Sequence, residues 1–336
     1  MHHQNNFDGI RLLAALAVLA SHQCVVAGLA EPATFGSLKL GDTAVLVFFA
    51  ISGYLVASSW AADPELWRFA ARRFLRIWPA YIVAVVGAAL WIRFTDPRPL
   101  ASTAAWMYVY KHLMFESFEW NFFWTQRDPR LNVSIWTIPF ELGCYVAFAL
   151  LAASLRKWWP VVLVAVGGPL FAWWGFGMAT INPSVVSPDM DWVWFGAFFG
   201  CGAALCGLPV LRTPTVSVAL ILIGIAAFAT GSQVIGLALA IPPLAILVGT
   251  RTWPVLGRAG RFGDFSYGLY LWAWPVQQIV ATHLGVQAGY WSLLLVSLAA
   301  ATVLAVLSWH LVERWALAVK PSSRTRWPYA LTFVLK

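Results

Sequence analysis

Apolar runs of roughly 17 to 25 residues recur along the whole chain, and each is long enough to cross about 30 Å of hydrocarbon as a helix. In lipid every backbone N–H and C=O must be paired within the protein, which leaves helices or a closed barrel, and the alternating pattern of barrel strands is absent. With 60% hydrophobic and 11% charged side chains, 336 residues carry too little polar surface to enclose a water-soluble globule. Spans are predicted at 9–30, 40–60, 75–95, 134–154, 159–177, 190–208, 215–231, 234–250, 262–284 and 290–316. The fold class expected is therefore all-α: a polytopic transmembrane bundle of about ten helices, forming a single domain over residues 1–336. The longest connection is 95–133, within which Trp106 to Phe118 reads as an interfacial helix.

The net charge of +8 does not point to nucleic acid, because the basic residues lie in short connections between apolar runs rather than on one polar face. Topology explains them. With the N-terminus inside, 16 of the 22 Lys and Arg fall on the cytoplasmic side and only Lys39, Arg93, Arg98, Lys111, Arg127 and Arg130 on the outer side, which places both termini in the cytoplasm. Arg11 and His22 interrupt the first run, and no small-residue cleavage site stands out after it, so that run is expected to remain as a span. Cys24, Cys144, Cys201 and Cys206 sit in apolar runs without metal-type spacing and read as buried free thiols.

Ionisable groups in lipid cost roughly 2.5 to 3.5 kcal/mol on insertion scales and by default mark functional interiors. Arg11 and His22 stand eleven residues apart, which returns both to one helix face about 16 Å apart along the axis. That stripe offers an anion binder near the cytoplasm and a proton-transfer group past the midplane; a snorkelling Arg with a structural His is the bland alternative. Arg68, Arg72, Arg73 and Arg76 cluster at helical spacing before a span that Pro79 should start or kink. Guanidinium forks suit the phosphates of a nucleotide-like carrier, whereas an ordinary membrane anchor would contact anionic lipid. Ser52 and Gly53 offer a hydrogen bond and a close approach for a helix or ligand chain in the second span. Glu141, early in the fourth span, could orient His22 or take a hydroxyl proton, with an ion pair to a neighbouring Arg as its structural alternative; Asp42 is another partner for His22. His2, His3, His112, His283 and His310 compete poorly, and the H-x4-D spelled by His3 and Asp8 at an extreme terminus is treated as chance. The histidines lack metal-ligand spacing, so no metal site is expected.

Six motifs in order resemble the membrane-bound acyltransferase 3 family over nearly the whole chain. They are Phe7-Asp-Gly-Ile-Arg11 leading to His22, Phe48-Phe-Ala-Ile-Ser-Gly-Tyr54, Arg73-Phe-Leu-Arg76-Ile-Trp-Pro79, Trp136-Thr-Ile-Pro-Phe-Glu141, Ser266-Tyr-Gly-Leu-Tyr-Leu-Trp272 and Ser308-Trp-His-Leu-Val-Glu313. The resemblance implies a ten-helix enzyme that takes an acyl group, usually acetyl, from cytoplasmic acyl-CoA as co-substrate and places it on a hydroxyl of an exported or lipid-linked glycan. By that resemblance His22 is catalytic, Arg11 is its companion in the acyl-donor site, and Arg73 and Arg76 grip CoA; Ser52 and Gly53 are assigned to the same acyl-CoA site. Many relatives carry His where this chain has Ala273, so a second catalytic imidazole from that helix is not expected. The chain also lacks the extracytoplasmic SGNH-type domain fused to some relatives, so it is expected to complete transfer alone or pass its acyl group to a separate partner.

The expected protein is thus a bacterial inner-membrane O-acyltransferase whose partners are acyl-CoA, a glycan acceptor and membrane lipid. Imidazole could act as base on the incoming hydroxyl or be acylated itself; both routes stay open. A secondary transporter relaying protons or substrate through Arg, His and Glu is the main competitor, although internal repeats and paired broken helices are missing. A noncatalytic scaffold accords poorly with costly intramembrane charges.

Overall fold

The computed structural model describes residues 5–36, 38–95, 101–114, 130–178 and 188–321. Most of the predicted outer connection (96–100 and 115–129) lies outside these residues, as do His2, His3, Arg98, Arg127, Arg324, Arg326 and Lys336. The apolar runs fold as helices: α1 (Phe7–Val26), α2 (Leu40–Ala62), α3 (Leu66–Thr95), α4 (Ala101–Leu113), α5 (Ile138–Leu155), α6 (Trp159–Val162), α7 (Gly168–Met178), α8 (Pro188–Gly207), α9 (Pro214–Ala229), α10 (Gln233–Gly249), α11 (Ser266–Leu284), α12 (Tyr290–Ser308) and α13 (Arg314–Ala318). A small antiparallel hairpin, β1 (Ala33–Phe35) and β2 (Leu38–Lys39), precedes α2. π-helical turns at Leu163–Gly167 and Trp309–Glu313 join α6 to α7 and α12 to α13.

The helical membrane class read from the sequence holds. Among the described residues, five stretches are long and apolar enough to cross a membrane: Phe7–Val26, Leu40–Ala62, Leu66–Trp91, Ser134–Gly175 and Tyr290–Ala318. Local chemistry accounts for part of the difference from ten. Ser134–Gly175 contains two predicted spans, divided where Arg156 takes a left-handed φ of 51° and ends α5. α9 and α10 have 16 and 17 residues, and α11 carries Gln277, Gln278 and His283. α3 starts nine residues before the predicted span, since the Arg-rich segment is itself helical, and it runs on through Pro79. α4 occupies the first half of the predicted interfacial segment. All four cysteines are free, but Cys201 and Cys206 are only partly buried.

The elements group into two compact units interleaved along the chain, one drawing on residues 1–45, 76–139 and 251–318 and the other on 46–75, 140–250 and 319–336. In lipid, helices associate through close packing and hydrogen bonds rather than by escaping water, so small residues mark the contacts. In the first unit α11 packs between α1 and α12. A side chain at Gly268 of α11 would come within 3.0 Å of the Ala305 backbone of α12, and Trp274 is buried with Val26, Ala281 and Leu293. Segment 130–137 is fastened to α11 by Asn132 Nδ2 donating to the Leu271 carbonyl (3.0 Å), a Thr137–Tyr270 hydroxyl pair (2.7 Å) and Trp274 Nε1 donating to the Arg130 carbonyl (2.9 Å).

In the second unit, α2 meets α8 where a side chain on Gly53 would strike the Phe199 carbonyl and one on Gly202 the Ala50 carbonyl. α9 crosses α10 at Gly224 and Gly236, where a Cβ on Gly236 would lie 2.6 Å from the Gly224 oxygen and 2.7 Å from the Phe228 nitrogen. Gly168, in contrast, has open space around it. Gly236→Ala should therefore destabilise the detergent-solubilised protein by about 1–3 kcal/mol, the usual scale of overpacking. Gly168→Ala should be neutral or slightly stabilising, because it adds helix propensity without a clash. Thermal unfolding of the two variants beside the parent checks this, and equal midpoints would contradict the crossing.

Candidate active site

The four arginines of early α3 divide by partner. In the turn between α2 and α3, the Asp63 side chain is 1% exposed and takes Arg68 through both Nε (2.8 Å) and Nη2 (2.6 Å). Arg72 adds Nη1 to the same carboxylate at 2.7 Å and Nη2 to the Asp63 carbonyl at 3.2 Å. The Arg68 hydrogen bonds, joined by those of Arg72, overcome the upward push of burial and hold the Asp63 carboxyl down at about 2. Arg68 and Arg72 thus form a clasp closing the α2–α3 turn. Arg73 reaches Ser59 Oγ at 3.4 Å and lies over the rings of Phe69 and Tyr145.

Arg76 turns to a different carboxylate. In the first unit Asp264 stands just ahead of α11, after Gly263, whose φ of 138° favours glycine and whose Cβ, if present, would run into the Trp309 indole. Asp264 Oδ2 accepts from Arg11 Nη1 of α1 at 2.5 Å and also from Arg76 Nη2 of α3. Its Oδ1 accepts from the Ser266 hydroxyl (2.5 Å) and from the Ser266 backbone N–H (3.3 Å) at the first turn of α11. The Tyr267 ring lies 5.9 Å from the Arg76 guanidinium, and its hydroxyl donates to the Ile77 carbonyl at 3.1 Å. Glu313, buried in the π turn after α12, accepts from Ser308 Oγ at 2.9 Å and feels the charges of Arg76, Asp264 and Arg11. Farther along α1, the half-buried His22 ring meets Trp274 of α11 edge to face, with centroids 5.0 Å apart.

The second unit holds another polar group. Ser52 Oγ donates to Glu141 Oε1 at 2.9 Å, Tyr145 Oη donates to the same oxygen at 2.5 Å, and the two hydroxyls are 3.0 Å apart. Tyr145 stands one turn after Glu141 on α5, so both face α2 together. Gly53 is the α2–α8 crossing point, which accounts for glycine there. Asp42 accepts the Lys39 backbone N–H at 3.3 Å beside the hairpin, where an acid also favours the start of α2. Among the expected site residues, then, the structure joins Arg11 to Arg76 and Ser52 to Glu141, and it gives Arg73 and Arg76 separate partners. Within the described residues no group of three or more His, Cys, Asp or Glu gathers as a metal site would.

The chain belongs to the acyltransferase domain family, which matches residues 4–310. It is an acyltransferase, and the transporter alternative falls. An O-acetyl transferase of Shigella phage Sf6 is 29% identical, the alignment covering 94% of this chain and 96% of that protein. Nodulation protein 10 of Rhizobium leguminosarum bv. viciae is 26% identical with 95% of each covered. The peptidoglycan O-acetyltransferase OatA of Listeria monocytogenes is 26% identical across 92% of this chain and 55% of its own length. No solved structure matches the chain.

Asp63, Asp264, Tyr145 and Trp274 were not singled out by sequence reasoning. Each left a signal: an acid just before the Arg cluster, a lone acid at a helix start, a hydroxyl four residues after an intramembrane Glu, and an indole on the motif helix. A carboxyl held below its ordinary value stabilises the fold fully above that value, and the gain is lost as pH falls toward the folded value. For Asp63 the window runs from about pH 4 down to about pH 2. Asp63→Asn should lower the thermal midpoint at neutral pH, and the gap to the parent should shrink across that window. A gap independent of pH would show that the clasp does not rest on the Asp63 charge.

Proposed function

We propose that this acyltransferase moves an acyl group, acetyl by preference, from cytoplasmic acyl-CoA to a hydroxyl of an exported or lipid-linked glycan. In this reading it acts as one integral domain of a bacterial inner membrane, with about ten spans and both termini inside. The observation that carries the donor assignment is the convergence of Arg76 with Arg11, which shares α1 with His22. Arg11 gives one Nη to Asp264, and among the described residues its other N–H groups have no protein acceptor. A guanidinium with N–H groups to spare, as on Arg11, suits phosphates. Arg73, three residues earlier on α3, is read as a further cationic contact for CoA, whereas Ser52 and Gly53, assigned to that site from the sequence, are engaged by Glu141, Tyr145 and the α2–α8 crossing. The acceptor class is supported by relatives named for O-acetyl transfer, one of them on peptidoglycan, itself a glycan.

Chemically, the acceptor oxygen attacks the thioester carbonyl, His22 takes the hydroxyl proton, the C–S bond breaks, and the CoA thiolate leaves and is protonated. If His22 is acylated first, the same bonds exchange in two steps. Asp42, in the same unit as His22, would serve as the carboxylate partner of the working imidazole, on the logic of a base oriented by a third group.

Two sets of variants test this. His22→Ala should cut transfer in proteoliposomes by about 10²- to 10⁴-fold or more while acyl-CoA binding persists. His22→Gln should fall as far, because an amide donates and accepts hydrogen bonds but relays no proton near neutral pH; near-parental turnover of that variant would make His22 structural. Arg73→Lys with Arg76→Lys should lose acyl-CoA affinity, since an ammonium cannot reproduce a fork, and parental affinity would reduce the pair to a topological anchor.

A further inference from the structure

The second unit contains a groove of about 620 Å³ that runs from Leu163 to Trp174 along one wall and is lined almost wholly by apolar side chains. Leu163 and Trp174 stand eleven residues apart, about 16 Å along a helix, against roughly 15 Å for the hydrocarbon of one leaflet. The groove thus has the length of an acyl chain. Its width depends on glycine. Gly53, Gly202, Gly224 and Gly236 each stand where another helix's backbone comes close, but a Cβ on Gly168 of α7 or Gly196 of α8 would meet nothing within 4 Å. Both of these line the groove, where a larger side chain would fill it.

The two ends differ in chemistry. Trp173, Trp174 and Trp192 gather at one, as indoles do at a membrane interface. At the other, Leu211 lines the groove immediately before Arg212, and Gly207 packs against Trp159 and Pro160, which follow Arg156 and Lys157. These three cations are exposed, and among the described residues none meets a carboxylate. The sequence holds no Asp or Glu from 142 to 188 or from 192 to 263. Arg212 gives Nη1 to the Tyr54 hydroxyl at 3.0 Å, which aims the guanidinium and leaves its other N–H groups to spare.

We propose that this groove binds one anionic phospholipid, with an acyl chain lying along Gly168 and Gly196 and the headgroup phosphate meeting Arg212 beside Arg156 and Lys157. Basic pockets between helices at a membrane surface hold anionic headgroups, and a phosphate offers the guanidinium the acceptors that no carboxylate here provides. None of these residues belongs to the transfer site proposed above.

Native mass spectrometry of the purified protein, released from neutral detergent micelles holding equimolar dioleoylphosphatidylglycerol and dioleoylphosphatidylcholine, tests this. One phosphatidylglycerol should be retained per chain, with a preference over phosphatidylcholine of roughly tenfold or more. Glycerol phosphate, which has the headgroup anion but no chain, should not be retained. Arg212→Gln should cut the preference about fivefold. Gly196→Leu and Gly168→Leu, on opposite walls, should each abolish retention without lowering the thermal midpoint. Equal retention of the two lipids by the parent would overturn the proposal, and so would parental retention in both leucine variants. Glycerol phosphate held as firmly as the lipid would reduce the site to a phosphate contact, and a dimer in gel filtration that Gly196→Leu dissolves would assign the groove to a second copy of the chain; either result overturns it. If neither leucine variant accumulates, Arg212→Gln decides, with a parental preference counting against the site.

Discussion

A charge in a membrane protein must find a partner, and the way this chain meets that demand organises everything built on it. Asp264 receives an arginine from α1 and another from α3 while standing at the start of α11. Three helices widely separated in sequence are thereby referred to one carboxylate. Asp63 performs the corresponding task at the α2–α3 turn, where Arg68 and Arg72 close upon it. The fixed ends of α3 and α11 then determine where Arg73, Tyr267 and Trp274 can stand.

Packing supplies what the charges cannot. With lipid outside, helices adhere only where backbones approach closely, and Gly53 with Gly202, Gly224 with Gly236, and Gly268 beside Ala305 provide that approach. Gly53 lies next to Ser52, so the α2–α8 crossing holds Ser52 in line with Glu141 and Tyr145. A rigid contact adjacent to a polar side chain is a sound way to pre-aim a group in a setting where misplaced polar atoms are expensive.

Helical membrane character was legible because it follows from the length of apolar runs, a local property. The family was legible from six short motifs in order, and the chain does belong to an acyltransferase family. Arg11, His22, Arg73 and Arg76 were legible as unusual residues, but not their partners. Arg11 and Arg76 meet Asp264 across 253 and 188 residues of sequence, and helical spacing carries no information over such distances. The same spacing suggested one cluster for Arg68, Arg72, Arg73 and Arg76, whereas carboxylates in two different turns divide them. Pro79 was expected to start or kink a helix, yet α3 continues through it, because neighbouring groups in a packed interior can accommodate the lost hydrogen bond.

The central claim is that the Asp264-centred arginines receive the acyl donor and present its thioester to His22. Cryo-electron microscopy of the full chain in nanodiscs with a non-hydrolysable acetyl-CoA analogue tests it most directly. The account predicts phosphate density against the guanidinium groups of Arg11 and Arg76, with the Asp264 contacts retained and the pantetheine arm rising along α1 toward His22. Analogue bound with its phosphates away from both arginines, or with its acyl end remote from His22, would contradict it.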